Sequence, residues 1–479
     1  MQKNKKNTKI AVTILLSLVT VLSIILTSCV PWDIDSDPTE SIPEIDNSED
    51  TSQDISEVEE VSTPEGYTDM PVIVDIKNIT ADVVVIAGTC EENATVTIAG
   101  GEEDVTANSK DGYFLAEVSL RYDSVNVLEA VAKVEGKEES LPRNLTANYD
   151  ATAEKRKDGF NVAVGNNSQL YFESFLDNYK GENLLTQTQL RNLINSVNAR
   201  VTNYNNRAKG QSVGLIYVLI PDSTSIHSEI FPEDITKETF STRYSQIVDA
   251  LSKTDVTVID MYDIFMSAKE NSEYNLYRTT DSNLTEYGAF LVYEQIANEM
   301  TNNFPDAAPR ALEEFTIEEV DSISGNLFEY LGINRGLFKE KVVSIKPKDN
   351  SLFRIGNDED SGFSTINISD LNKYAAEDDF TQFVGKDESN VSVNDRFIIN
   401  TNRINLPSAL IYRDDSAFPM VDLLAERFNN AMFAQSGDFT INFTDAGRHY
   451  SEGKAITDYI IVIVSENNIE DILPSSLAY

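Results

Sequence analysis

The residues best equipped for chemistry gather in one short stretch. Between the apolar run Ala409–Tyr412 and the helically spaced Met420, Leu423, Leu424 and Phe428 stands Arg413-Asp414-Asp415-Ser416. This pattern predicts a buried strand, an acidic turn and a helix packed back onto a sheet, the kind of junction where reacting groups sit in α/β proteins. A serine at such a turn attacks an acyl carbonyl only when a base takes its proton and a carboxylate orients that base. Bases are scarce, because the chain has two histidines, His227 and His449. His227 follows a predicted strand on the edge where a site would lie, and His449 reads as solvent-facing. Pro221-Asp222-Ser223 imitates a second nucleophile turn at a strand end and reads as cleft lining. If Asp281, Asp414 and Asp415 converge, they form a carboxylate cluster for Ca²⁺ or Mg²⁺, or a glycosidase pair; the plainer reading is a solvated acidic turn.

Positioning these groups requires a layered scaffold. From residue 151 to 479 the pattern alternates buried strands with helices, the signature of an α/β fold. The strand candidates are Val213–Ile220, Val256–Asp260, Ala409–Tyr412 and Tyr459–Val464. Helices are predicted over Leu184–Lys209, with Leu190, Leu193, Ile194 and Val197 on one face, and over Glu286–Met300. The polar stretch Lys346–Arg396 has little periodicity and reads as an insertion. Residues 67–150 alternate apolar and polar positions between short turns, as at Ala94–Ile98, at Phe114, Ala116 and Val118, and at Val127, Glu129 and Val131. That spacing predicts a small all-β antiparallel sandwich.

The N-terminus has the parts of an export signal: Lys3, Lys5, Lys6 and Lys9, the 17-residue apolar run Ile10–Leu26, then Leu26-Thr27-Ser28-Cys29. That tetrapeptide resembles a bacterial lipobox, which implies cleavage after residue 28 and lipid on Cys29. The competing reading is an uncleaved anchor, for which the run is short. Either way the rest of the chain is expected outside the cytoplasmic membrane. Residues 29–66 read as an acidic tether unable to bury enough apolar surface to fold. Asp33, Asp35 and Asp37 are spaced like a calcium loop, but Pro38 stands where such a loop needs glycine. The chain carries 79 Asp and Glu against 38 Lys and Arg, for a net charge of -41, which disfavours nucleic acid and anionic surfaces as partners. No G-x-S-x-G, phosphate loop, H-E-x-x-H or cysteine cluster is present, so no cofactor or metal is expected.

Several motifs occur in a telling order. V-G-N-N-S-Q-L-Y-F, Asp177-Asn-Tyr-Lys-Gly181 and G-L-I-Y-V-L-I-P-D-S precede Y-R-T-T-D-S-N-L-T-E-Y-G-A, S-G-N-L-F-E-Y-L-G, N-L-P-S-A-L-I-Y-R-D-D-S-A-F and D-Y-I-I-V-I-V-S-E-N-N-I. Residues 160–472 thereby resemble the SGNH-hydrolase-like domain of alginate O-acetylation and DHHW-type proteins, and the 67–150 segment resembles bacterial Ig-like modules, which serve most often as spacers. The resemblance implies a three-layer parallel-sheet domain with a Ser-His-Asp site for acetyl ester transfer or hydrolysis. Carried onto this chain, Asp281 matches the family Asp, Asn283 takes the His position and Leu284 the Trp position. In the gapless register Asp414 matches the motif Asp, Asp415 falls on the nucleophile and Ser416 follows it; a one-residue shift restores Ser416. An amide cannot accept and return a proton near neutral pH.

These readings predict a lipid-anchored surface protein whose acetyltransferase-like domain has a degenerate triad and binds an envelope or extracellular polysaccharide or an assembly partner. The expected binding residues are Asp222, Ser223, Arg413 and Asp414. The alternative is an active O-acetyltransferase or acetylesterase using Ser416.

Overall fold

The described residues all lie in one compact unit, Ser62–Tyr479. The structure, a computed structural model, describes residues 63–474 apart from 123, 154–160, 208–211, 234, 238, 349–351, 358–363, 368–396, 402 and 436–456. The export signal, Cys29, most of the tether, His449 and most of the 346–396 insertion lie outside the described residues.

Seven strands form the predicted sandwich. Val72–Asn78, Val83–Thr89 and Tyr113–Ser119 make one antiparallel sheet. Val105–Asn108, Thr95–Ala99, Val125–Lys133 and Arg143–Asn148, in that spatial order, make the other. Ile86, Phe114 and Val118 meet Val96, Ile98, Leu128 and Ala130 between the sheets. The alternation along Val125–Lys133 holds, but the inner face is the less apolar-looking one. Leu128, Ala130 and Ala132 point inward, while Val125 and Val127 are 66% and 67% exposed. The smaller sheet is covered on its other face too, where Val85, Ala87, Tyr113 and Leu115 pack on Phe328 and Phe338. Burial on both faces explains why V-V-V-I-A shows no alternation.

The second domain is built on five parallel strands, β1 (Gly214–Ile220), β2 (Thr257–Asp260), β3 (Ser408–Arg413), β4 (Asn430–Gln435) and β5 (Tyr459–Ser465). Their spatial order is β2-β1-β5-β3-β4. Three antiparallel strands, Phe397–Asn400, Leu352–Asn357 and Ser364–Asn367, extend the sheet beyond β4. Part of the expected insertion therefore belongs to the main sheet.

Strand residues alternate between two helical layers. Leu215, Tyr217 and Leu219 pack with Leu193 and Val197 of helix α1 (Gln187–Arg207) and Ile247 and Leu251 of α2 (Arg243–Leu251). Ile216, Val218, Ile411 and Ile461 pack with Phe290, Val292 and Ile296 of α3 (Glu286–Met300). The result is the predicted three-layer domain. After β3 the chain makes a 3₁₀ turn over Asp415–Met420 and then a five-residue helix, α4 (Val421–Ala425). Pro419 lies inside that turn. It supplies no N–H and disfavours helical backbone at the residue before it, which keeps the first turn out of the α-helix.

Candidate functional site

The chain runs from β1 to β2 at one side of β5 and returns on the other side with β3, so the connections diverge around β5. Open α/β sheets form their crevices at such a divergence, outside the C-terminal strand ends. A cavity of about 330 Å³ lies there. Asp222 reaches it from the end of β1, Asp414, Asp415 and Ser416 from β3, and Ser465, Asn467, Asn468 and Asp471 from β5. Ser282, Asn283 and Leu284 enter from the loop before α3, and Asn326 from the next loop. Phe172, Phe175, Tyr277 and Tyr330 supply aromatic surface. No Lys, Arg or His lines this cavity among the described residues.

The turn after β3 is organised by Asp414. Its Oδ1 accepts from the Ser416 N–H at 3.1 Å and from the Ser416 hydroxyl. Its Oδ2 accepts from the Ser465 N–H and Oγ, both at 2.7 Å, and from Asn468 Nδ2 at 3.2 Å. This carboxylate ties two parallel strand ends together, and the Ser416 proton points at Asp414 rather than at an imidazole. Arg413 is buried beneath the turn, its guanidinium 4.0 Å from the Phe418 ring centroid. Burial pulls its pKa down to about 10 against the opposing pull of Asp415 and Asp414. Asp415 is the exposed member of the turn. Partial desolvation raises its pKa, the Arg413 charge opposes that, and Asp414 adds to it.

Asp281 stays behind the cavity wall and locks its own loop. Its Oδ1 accepts from the Asn283 N–H at 3.1 Å and its Oδ2 from the Asn326 N–H at 3.1 Å. Thr280 donates its N–H and hydroxyl to buried Glu340, which also binds Arg278. Asn283 lines the cavity.

A second pair of carboxylates supports the floor. Glu466 Oε2 accepts from the Asp222 N–H at 2.9 Å and from Ser225 Oγ at 2.7 Å. Asp222 accepts from Asn178 Nδ2 at 2.9 Å and from the Asn467 N–H at 3.0 Å. Burial, then the Glu466 charge, pushes Asp222 well above the usual carboxylate range, and burial raises Glu466 as well. Among the described residues no three His, Cys, Asp or Glu side chains gather as a metal site.

His227 and Ser223 stand outside the cavity wall. His227 Nδ1 lies 3.0 Å from Glu229 Oε1, and its ring meets Tyr277 edge-on at 6.2 Å. Desolvation lowers its pKa, with the Glu229 hydrogen bond opposing. Ser223 begins a short helix, and its carbonyl accepts from the His227 N–H at 2.7 Å. The structure thus brings Asp222, Asn283, Asp414, Asp415 and Ser416 to one cleft, keeps Asp281 and Arg413 as supports, and leaves His227 and Ser223 aside. Sequence reasoning missed Asn326, Glu466, Asn467 and Asn468. The polar run S-E-N-N after a buried strand carries Glu466, Asn467 and Asn468, but the run alone does not say which way it turns.

Hydroxyls, amides and carboxylates beside aromatic faces suit hydrogen bonding and stacking of a polyhydroxylated ligand. No histidine lines this cleft among the described residues, and the Ser416 hydroxyl donates to the Asp414 carboxylate.

Fold and cleft define a layered SGNH-like α/β domain. Residues 178–350 match the family model described as SGNH hydrolase-like domain, acetyltransferase AlgX. The matched segment carries β1, β2 and the Asp281 loop and stops before β3. No curated protein matches the chain. Similar solved structures include Bacillus cereus PatB1 with a sulfonyl adduct, at 15% identity and TM-score 0.44, covering 67% of this chain and 99% of that one. A DHHW family protein from Eubacterium siraeum is 13% identical with TM-score 0.41, covering 73% and 93%. The O-acetyltransferase domain of Pseudomonas putida AlgJ is 11% identical with TM-score 0.38, covering 66% and 94%.

Proposed function

We propose that this chain is a surface lipoprotein, held to the membrane through lipid on Cys29, whose SGNH-like domain binds an envelope or extracellular glycan without a working Ser-His-Asp triad. The observation that supports the reading is that Asn283, which the sequence resemblance puts in the base position, lines the cleft while His227 does not. The lining supports a polysaccharide ligand, and its charge narrows the class. Asp222, Asp414, Asp415 and Asp471 line the cleft and no described lining residue is basic, which disfavours uronate chains and favours neutral or amine-bearing sugars. Asp415, exposed in the turn, is the group best placed to meet an ammonium.

Calorimetric titration of the full-length protein tests this with hexasaccharides of glucosamine, N-acetylglucosamine and a uronate. Saturable binding of either of the first two and none of the third is expected. Binding of the uronate alone would overturn the ligand class.

A second reading, ester transfer or hydrolysis through Ser416, is favoured by one observation: that hydroxyl lines the cleft and donates to Asp414. Its test is turnover of an aryl acetate that disappears in Ser416→Ala.

A further inference from the structure

The aromatic wall of the cleft continues into the β-sandwich. Phe172, Phe175 and Tyr330 face the cavity, with ring centroids 5.5 Å apart for Phe172 and Phe175 and 5.7 Å for Phe172 and Tyr330. Behind them the same apolar cluster runs through Phe328 and Phe338 to Tyr113, Leu115 and Val85 of the three-stranded sheet. Tyr113 stands edge-on to Phe328 at 5.8 Å and to Phe338 at 6.1 Å.

Phe172 ends a short hairpin, Val162–Val164 paired with Leu170–Phe172. Its tip holds two non-glycine residues in left-handed backbone, Asn167 at φ 56° and Ser168 at φ 55°. Such backbone persists only where its surroundings hold it. Here the holding groups come from the sandwich. Buried Ser168 accepts the Leu115 N–H at 3.0 Å and donates its hydroxyl to the Asn108 carbonyl at 2.7 Å. Asn108 Nδ2 donates to Asn167 Oδ1 at 3.0 Å, and the Val164 N–H donates to Glu117 Oε1 at 2.9 Å. A module serving only as a spacer needs none of these bonds.

We propose that the sandwich positions the glycan cleft: Ser168 and Glu117 pin the hairpin that ends in Phe172, and so hold the aromatic wall against which a sugar ring stacks. Glu117 and Ser168 are positioning residues, since neither lines the cavity. The functional half of this inference rests on the glycan reading; the mechanical half does not.

Hydrogen exchange read by mass spectrometry on the full-length protein, without ligand, separates the two. Glu117→Ala, which removes one part-buried hydrogen bond, should speed exchange over residues 170–180 by about tenfold, and Ser168→Ala, which removes two, by at least as much. The strand Val125–Lys133 should keep its wild-type protection, marking a folded sandwich. Glu117→Gln, whose amide oxygen can still accept the Val164 N–H, should exchange like wild type. Affinity for the glucosamine or N-acetylglucosamine hexasaccharide should fall by about tenfold in Glu117→Ala and hold in Glu117→Gln. Unchanged exchange over 170–180 in Glu117→Ala overturns the proposal, and so does equal loosening in Glu117→Gln. Should Ser168→Ala unfold the sandwich, the Glu117 pair alone decides. If the wild type binds none of the sugars, the glycan reading fails while the exchange result still decides the positioning.

Discussion

Asp414 at the end of β3 accepts two hydrogen bonds from Ser465 at the end of β5, 51 residues further along the chain, one from its N–H and one from its hydroxyl. The residue that looked like part of a nucleophile turn is thus the clamp that sets the width of the cleft between two parallel strands. Replacing it should therefore cost stability before it costs anything else. Asp414→Ala leaves several buried donors without an acceptor and should lower unfolding free energy by about 3 kcal/mol in urea titrations. Ser416→Ala removes one donor from a carboxylate that keeps its others, and should cost about 1 kcal/mol.

Gly325 packs against the loop that carries Asn283, directly before Asn326. A Cβ built on it would lie 2.4 Å from the Thr280 carbonyl oxygen and 2.4 Å from Asp281 Cβ. Its φ of -79° suits any residue, so the demand for glycine comes from contact and not from backbone strain. Gly325→Ala should destabilise the protein by about 2 kcal/mol in the same titration, because backbone must move to relieve the overlap.

The Asp222–Glu466 pair makes a signed prediction for pH. Burial raises both folded-state pKa values above those of the unfolded chain. The folded state then binds more protons, so the pair's contribution is best at acidic pH and is lost as pH rises through the folded values. Glu466→Gln keeps an oxygen for the Asp222 N–H and the Ser225 hydroxyl while removing one buried charge. Thermal unfolding should show the variant above wild type at about pH 8, with the gap closing towards about pH 5. A gap that widens on acidification would contradict the assignment.

Tyr113 tests the junction between the domains. Its hydroxyl is buried without a hydrogen-bond partner, whereas its ring packs on Phe328 and Phe338. Tyr113→Phe should be neutral or stabilising by up to about 1 kcal/mol, and Tyr113→Ala should cost about 3–5 kcal/mol. Paired denaturation curves distinguish the two contributions.

Much of this architecture was legible in the residues, for identifiable reasons. Strands β1, β3 and β5 announce themselves because parallel strands buried on both faces read as nearly unbroken apolar runs, whereas the half-buried edge strand β2 shows only a short one at Val258 and Ile259. Strand β4 does not, since N-A-M-F-A-Q lacks the branched side chains that mark strands. Along Val125–Lys133 the period was readable but the inner face was not, because the larger valines face solvent and the small alanines face the core. At the cleft, the turn Asp414–Ser416 was legible from pattern and Asn283 from resemblance. Glu466, Asn467, Asn468 and Asn326 were not, because nothing local says that a polar run after a strand turns back over a neighbouring strand end.

The central claim is that the cleft binds sugar and has no working triad, and one paired measurement tests it directly. The full-length protein is titrated with the glucosamine hexasaccharide and with its O-acetylated form while acetate released from the ester is assayed. The account predicts saturable binding, weakened about tenfold or more by Asp415→Ala, with no acetate released. Acetate release that disappears in Ser416→Ala would contradict it.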